Sequence, residues 1–177
     1  MAEVRALTPQ DPLNAVGELY ALSWKHHYMG ILPDTYLQRL TGDRWNALLW
    51  ANPSSTIAVF EDGQLKGAAT LSFPRDEGRE DYGEVVSIYL HPESKSRGYG
   101  RMLMEKAMQQ LRDEGCENIC LWVMEPCRSA IGFYEHIGFR FSGRTHPEMY
   151  GGRVIKLGIY SQTVRAGGHP VLFLLAG

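Results

Sequence analysis

Cysteine is scarce in this chain, net charge is nearly nil, and long apolar runs are missing. The three cysteines, Cys116, Cys120 and Cys127, sit in one stretch at spacings of four and seven. That odd count lacks the paired CxxC form of a zinc site, so neither a disulfide framework nor a metal centre is expected. Reduced thiols fit a cytoplasmic protein. The longest apolar run, Val171–Ala176, is far short of the ~20 residues that span a bilayer. The opening MAEVRALTPQD carries acids and no apolar stretch, unlike a signal peptide. No membrane partner is expected. With 18 Lys and Arg against 20 Asp and Glu, the net charge is −2, which excludes a surface basic overall and with it a general nucleic-acid partner. Internal repeats, low-complexity tracts and Pro/Ser-rich linkers are also missing.

What remains is an ordinary globular chain of 177 residues, 44% hydrophobic, the size of one compact domain. Glu3–Leu7 reads as a first strand. Asp11 or Asn14 caps a helix to about Tyr28, with Val16, Leu19, Tyr20 and Trp24 on one face. Gly30 breaks it, Pro33-Asp34 opens a second helical stretch through Leu40, and a third contains Trp45, Leu48, Leu49 and Trp50. The period then changes. Thr56–Glu61 and Lys66–Phe73 read as strands joined by an Asp62-Gly63 turn. Pro74–Gly83, rich in acids, reads as an exposed loop. Glu84–Leu90 is apolar on both faces and therefore a central strand.

The Gly98-Tyr99-Gly100 turn follows, then an amphipathic helix from about Arg101 with Leu103, Ala107, Met108 and Leu111 on its buried stripe. Gly115 stops it, and Asn118–Met124 is a second strand apolar on both faces. Strand, glycine turn, helix and strand make a βαβ unit with parallel strands. A helix over Arg128–Ile137 and two strands near Phe139–Ser142 and Val154–Tyr160 complete an α+β order. Around the turn, Lys95, Arg97 and Arg101 are basic and no acid intervenes. Glycines let a ligand approach the backbone, and a helix start offers unpaired N–H groups and partial positive charge, which together suit a pyrophosphate. A P-loop would end in Gly-Lys-Ser/Thr, and a dinucleotide turn would carry glycine at Leu103. This chain has neither.

The run EVVSIYLHPESKSRGYGR, Glu84–Arg101, resembles motif A of the GNAT N-acetyltransferases, Gln/Arg-x-x-Gly-x-Gly/Ala after a splayed central strand. CRSAIGFYEHIGF, Cys127–Phe139, resembles their motif B, NxxAxxFYExxGF. WKHHYMGILPDTYL, Trp24–Leu37, is similar to the WxxxYxGILPxxYL opening common in bacterial members. The resemblance covers residues 3 to 160 and implies one GNAT domain over 1–160. Its fold would be an α/β sandwich with a mixed, mostly antiparallel sheet of six or seven strands around a splayed parallel pair.

It also implies acetyl-CoA as co-substrate. Backbone groups of Ile88 and Leu90 would pair with the pantetheine arm, and the amides of Lys95, Ser96, Arg97, Gly98, Tyr99 and Gly100 would cradle the pyrophosphate, with Arg97 and Arg101 screening it. Lys95 replaces the family's Gln or Arg. The amide of Ile88 or Tyr89 would stabilise the oxyanion. Cys127 and Ala130 fall in motif B beside the pantetheine, with Cys127 where asparagine is usual. Tyr134 matches the tyrosine that protonates the departing thiolate, and Glu84 is the candidate base, against the plainer reading of a solvated strand start. His26 and His27 are weaker candidates. Tyr28, Ile31, Leu32 and Tyr36 would wall the acceptor site, or simply fill a core. The reaction implied is acetyl transfer from acetyl-CoA to a primary amine of a small molecule or peptide, by direct attack in a ternary complex. The alternatives are a non-catalytic acyl-CoA or amine sensor, and transfer of another acyl group. The tail, 161–177, departs from the family and ends in an apolar segment. It is expected to pack on its own domain or on a second subunit of a homodimer.

Overall fold

The computed structural model describes residues 1–73 and 81–164. In chain order the elements are β1 (Ala2–Ala6), α1 (Leu13–His27), α2 (Asp34–Gln38), α3 (Asp43–Ala51), β2 (Thr56–Glu61), β3 (Gln64–Ser72), β4 (Tyr82–Leu90), α4 (Tyr99–Asp113), β5 (Asn118–Met124), α5 (Arg128–His136), β6 (Arg140–Tyr150) and β7 (Arg153–Thr163). The strands form one seven-stranded sheet in the order β1-β2-β3-β4-β5-β7-β6. Every neighbouring pair is antiparallel except β4 and β5. The expected mixed sheet with one parallel crossover is therefore what forms.

Alternation in the strands decides which helix covers which face. Ile57, Val59, Ala69, Leu71 and Val85 turn to one side and pack with Leu103, Met104, Ala107 and Leu111 of α4. Ala58, Phe60 and Ala68 turn to the other and pack with Leu13, Val16, Leu19 and Tyr20 of α1 and Leu49 of α3. A strand residue's neighbours point to opposite faces, so strands covered on both sides must be apolar throughout. Among the described residues no helix is long and apolar enough to cross a membrane.

Several elements differ from the sequence reading. β4 begins at Tyr82, and α4 at Tyr99. Of the acidic loop, residues 74–80 lie outside the described residues, but Asp81 is not a free solvated acid. Its carboxylate accepts a hydrogen bond from Asn118 Nδ2 at 2.6 Å, and its carbonyl accepts the Glu117 and Asn118 amides. It ties the start of β4 to the start of β5. β6 runs to Tyr150 instead of ending at Ser142. Gly143 and Pro147 suggest a break in the sequence, but the strand absorbs Gly143, at φ +84°, in an irregularity between Phe141 and Thr145. β7 continues through Thr163. The apolar end of the tail lies outside the described residues.

Candidate active site

The parallel pairing of β4 with β5 is short: Tyr82 with Asn118, Gly83 with Ile119, Glu84 with Cys120, and no further. Beyond Glu84 the strands separate. The fork coincides with a register shift against β3, where Thr70 faces Ser87 but Leu71 faces Val85, so that Val86 is an extra residue. A bulge of this kind bends its strand. On one side β4 stays paired with β3 through Leu90, and on the other β5 stays paired with β7 through Met124.

The register tells which backbone groups the fork leaves open. The His91 amide donates to the Lys66 carbonyl at 2.8 Å, in the same alignment that pairs Tyr89 with Ala68. In an antiparallel ladder, directly hydrogen-bonded pairs alternate with pairs whose N–H and C=O groups point outward. His91 and Tyr89 therefore turn their backbones toward β3, while Ile88 and Leu90 turn theirs into the fork. The same parity on β5, set by the Glu125 amide on the Lys156 carbonyl at 2.9 Å, turns the Trp122 backbone into the fork from the other side. This separates the two candidates for an oxyanion donor. Ile88 faces the opening, and the Tyr89 amide does not.

The glycine turn closes one end of the fork. Ser96 and Gly98 have φ of +62° and +80°, and Gly98 is the N-terminal cap of α4. A Cβ on Gly98 would meet nothing within 4 Å, so space above the helix start is open, as a phosphate cradle requires. Lys95, Ser96, Arg97 and Gly98 are exposed. Both arginines have partners: Arg101 Nε donates to Glu105 at 2.8 Å along the helix, and Arg97 lies 3.7 Å from Glu61. The Tyr99 side chain is buried, turned away from the opening. Gly100 lies against Leu90 and Phe133, which brings α5 up to the turn.

On the face covered by α1, the opening meets a wall of aromatic rings. The Tyr89 ring lies 5.2 Å from Tyr20 and 6.3 Å from Trp24, and Trp24 lies 4.8 Å from Tyr28. The Tyr28 and Tyr89 phenols interact, and Tyr134 and Cys127 are near enough to influence Tyr28 as well. Burial raises the titration of all three phenols above the ordinary 10, so they hold their protons at neutral pH. Burial also pushes the Cys127 thiol, at the start of α5, up to about 11. A thiol that holds its proton is a poor nucleophile. Ala130 is half-buried on the next turn of α5.

Glu84 is half-buried at the apex of the fork. A Cβ on its neighbour Gly83 would run into Leu111 of α4, so Glu84 points to the opposite face, the one with the aromatic wall. Of the four residues expected at an acceptor site, Tyr28, Ile31 and Tyr36 are partly exposed, but Leu32 is buried in the main core and is packing. His26 is exposed and His27 half-buried at the end of α1.

The sequence reading missed the far wall. The hairpin joining β6 and β7 reaches back over the segment between α1 and α2. Arg153 Nη1 donates to the Ile31 carbonyl at 2.6 Å, the Tyr150 ring lies 5.9 Å from Tyr36, and a Cβ on Gly151 would come within 2.7 Å of the Tyr36 Cβ. The signal was present in Tyr150-Gly151-Gly152-Arg153, a two-glycine hairpin turn. Trp122 was also missed. It lies on the Glu84 face, 6.3 Å from His146, in a hollow of about 480 Å³ that Arg144, Glu148 and Leu157 also line. A smaller hollow, about 180 Å³, lies among Val123, Arg128 and Tyr160 and includes none of the expected site residues.

Comparison with known proteins gives a consistent picture. Residues 17–139 match the profile of the Acetyltransferase (GNAT) family. The chain is 28% identical over 163 residues to the uncharacterized N-acetyltransferase YuaI of Bacillus subtilis, covering 90% of this chain and 92% of that protein. It is 30% identical over 92 residues to mycothiol acetyltransferase of Geodermatophilus obscurus, but spans only 30% of that relative's length. Among solved structures, ribosomal-protein-alanine N-acetyltransferase of Brucella melitensis superposes with a TM-score of 0.74 at 19% identity, covering 92% of this chain and 99% of that one. PaiA N-acetyltransferase of Thermoplasma acidophilum, solved with coenzyme A, superposes at 0.70 and 21% identity, with coverage of 92% and 99%.

Proposed function

The chain belongs to the acetyltransferase (GNAT) family, and we propose that it transfers the acetyl group of acetyl-CoA to a primary amine by direct attack within a ternary complex. The observation that carries this reading is the fork itself. Two strands part at Glu84 and Cys120, the backbone groups of Ile88 and Leu90 are left facing the opening, and the open Gly98 turn stands at its end. An extended amide-bearing arm ending in a pyrophosphate fits that arrangement: the arm would replace the missing strand, and the turn amides of Lys95 to Gly100 would hold the phosphates. The solved PaiA structure contains coenzyme A, in keeping with this fit.

Bound acetyl-CoA supplies an activated acyl group on a good leaving group. The chain's own residues supply the rest. The Ile88 amide faces the opening and would stabilise negative charge developing on the carbonyl oxygen. An amine with a pKa near 10 is almost wholly protonated at neutral pH. Glu84, on the acceptor face at the apex, would take its proton directly or through a water. Tyr134 keeps its own proton at neutral pH because its phenol is desolvated, and would give it to the departing thiolate. Cys127, with its thiol pushed up to about 11, is unsuited to an acyl-enzyme route, which favours direct attack. Tyr28, Ile31 and Tyr36 on one side and Trp122 on the other would wall an acceptor with apolar or aromatic character.

The test is release of free thiol from acetyl-CoA across polyamines, amino acids, aminoglycosides and peptides with free N-termini. Turnover with any of them, in proportion to acetylated product, supports the enzyme. Tight binding of acetyl-CoA with no turnover on the whole panel would favour the sensor reading instead.

A further inference from the structure

Glu61 lies outside the fork, at the end of β2, yet it is joined to the glycine turn at two points. Tyr99 Oη donates to Glu61 Oε2 at 2.5 Å, and Arg97 Nη1 lies 3.7 Å from the same oxygen. These two residues flank Gly98, the cap whose φ of +80° begins α4. Between Lys95 and Gly98 the backbone takes an unfavourable path: Ser96 has φ +62°, a region that costs a side-chain-bearing residue free energy unless its surroundings hold it there.

Glu61 itself is well placed to hold it. It pairs with Gln64 across the tight turn Asp62-Gly63, whose φ of +52° and +74° are those of a rigid two-residue hairpin. The Tyr99 ring is 3% exposed and packs in the main core, so its hydroxyl is delivered to one fixed point. A carboxylate beside a phosphate site would by itself repel the ligand. Here Arg97 lies beside it and offsets the charge, while the Tyr99 bond fixes the geometry.

We propose that Glu61 is a positioning residue for acetyl-CoA: by holding Tyr99 through a hydrogen bond, with Arg97 beside it, it keeps the turn amides aimed at the pyrophosphate before the ligand arrives. This rests on the acetyl-CoA reading of the fork. Preorganised donors bind more tightly because the ordering cost is met in folding rather than in binding. Removing the clamp leaves the donors in place but lets the strained turn relax.

Calorimetric titration with two probes tests this without knowledge of the acceptor. The probes are acetyl-CoA and S-acetyl-pantetheine, which has the arm but no pyrophosphate. Glu61→Ala is expected to weaken acetyl-CoA binding by about tenfold, the order of one charge-assisted hydrogen bond, and to leave S-acetyl-pantetheine binding within experimental error. Glu61→Gln, which still accepts from Tyr99, is expected to recover most of the loss. Tyr99→Phe, which keeps the ring and removes the bond, is expected to match Glu61→Ala in direction. Equal weakening toward both probes would mean general damage and would overturn the proposal. So would unchanged or tighter acetyl-CoA binding by Glu61→Ala, which would mean that the carboxylate only repels. Failure of the unsubstituted protein to bind acetyl-CoA at all would instead refute the reading on which the proposal rests.

Discussion

Tyr134 and Glu84 stand on different elements, and the protonation of Tyr134 follows from where it sits. Tyr134 is on α5 beside Phe133 and Phe139, with ring centroids 5.5 and 6.2 Å away. Those neighbours displace water and keep its phenol neutral, which is what a proton donor needs. Tyr134→Phe preserves the ring packing and removes only the proton. It should lower kcat by about a hundredfold while leaving the KM for acetyl-CoA nearly unchanged, as read by steady-state kinetics with a productive acceptor. A parallel rise in KM would mean that the hydroxyl binds rather than donates. The motif in FYEHIGF made Tyr134 legible in the sequence. For Leu32 the two readings, acceptor wall and core, look alike in sequence, because an apolar residue serves either, and the structure buries it.

At the scale of elements, two attachments hold the walls of the opening to the sheet. One is the turn between β1 and α1, where Arg5 Nη2 donates to Asp11 Oδ1 at 2.7 Å and the Thr8 amide to Asp11 Oδ2 at 2.7 Å. The Arg5 hydrogen bond, aided by Thr8, holds the Asp11 carboxyl well below its usual 3.8. A depressed folded-state value means the stabilisation is complete above the ordinary carboxylate range and fades as pH falls through it toward the folded value. Asp11→Asn should therefore cost about 1 kcal/mol at neutral pH, a figure that allows for the partly exposed guanidinium. The gap between variant and parent in urea midpoints should shrink below pH 4. A gap that stayed constant with pH would assign the effect to packing.

The other attachment is the β6–β7 hairpin on α2. Gly151 has φ +55° and no room for a Cβ beside Tyr36, whereas Gly152, at φ +84°, has nothing within 4 Å. Gly152→Ala should cost about 1 kcal/mol from backbone strain alone. Gly151→Ala should cost more, because Tyr36 must also move, and it should raise the KM for the acceptor. Equal costs would show that the hairpin does not press on α2. Periodicity missed this hairpin because β6 carries exposed polar residues along nearly its whole length, so no buried face marks it as a strand.

For the whole molecule, the fork divides labour between the two cores. α4 fixes β4 from one face and α1 from the other, so an arm bound between β4 and β5 would bridge halves that are hydrogen-bonded to each other only below Glu84 and Cys120. A ligand that binds the folded state alone stabilises it by about 2.7 kcal/mol at a hundred times its Kd. Acetyl-CoA at that excess should raise the Tm by roughly 5–10 °C for a domain of this size. S-acetyl-pantetheine at the same multiple of its own Kd should do equally well. No shift with either would remove the fork as the binding site.

The order of elements, the parallel crossover, the glycine turn and the placement of Glu84 and Tyr134 on their elements are all legible in the amino-acid sequence. These rest on local period and on short motifs, which physical chemistry makes readable one segment at a time. The sequence could not supply contacts between segments far apart in the chain. Only in three dimensions is it visible that Val86 is the extra residue where β4 leaves β5, that Ile88 rather than Tyr89 turns its backbone into the fork, that Glu61 meets Tyr99 and Arg97, and that Tyr150 and Arg153 seat the β6–β7 hairpin against Tyr36 and Ile31. The reason is common to all four. Register, backbone parity and docking depend on which residue stands opposite which, and a shift of one residue in pairing leaves local period unchanged while reversing every face.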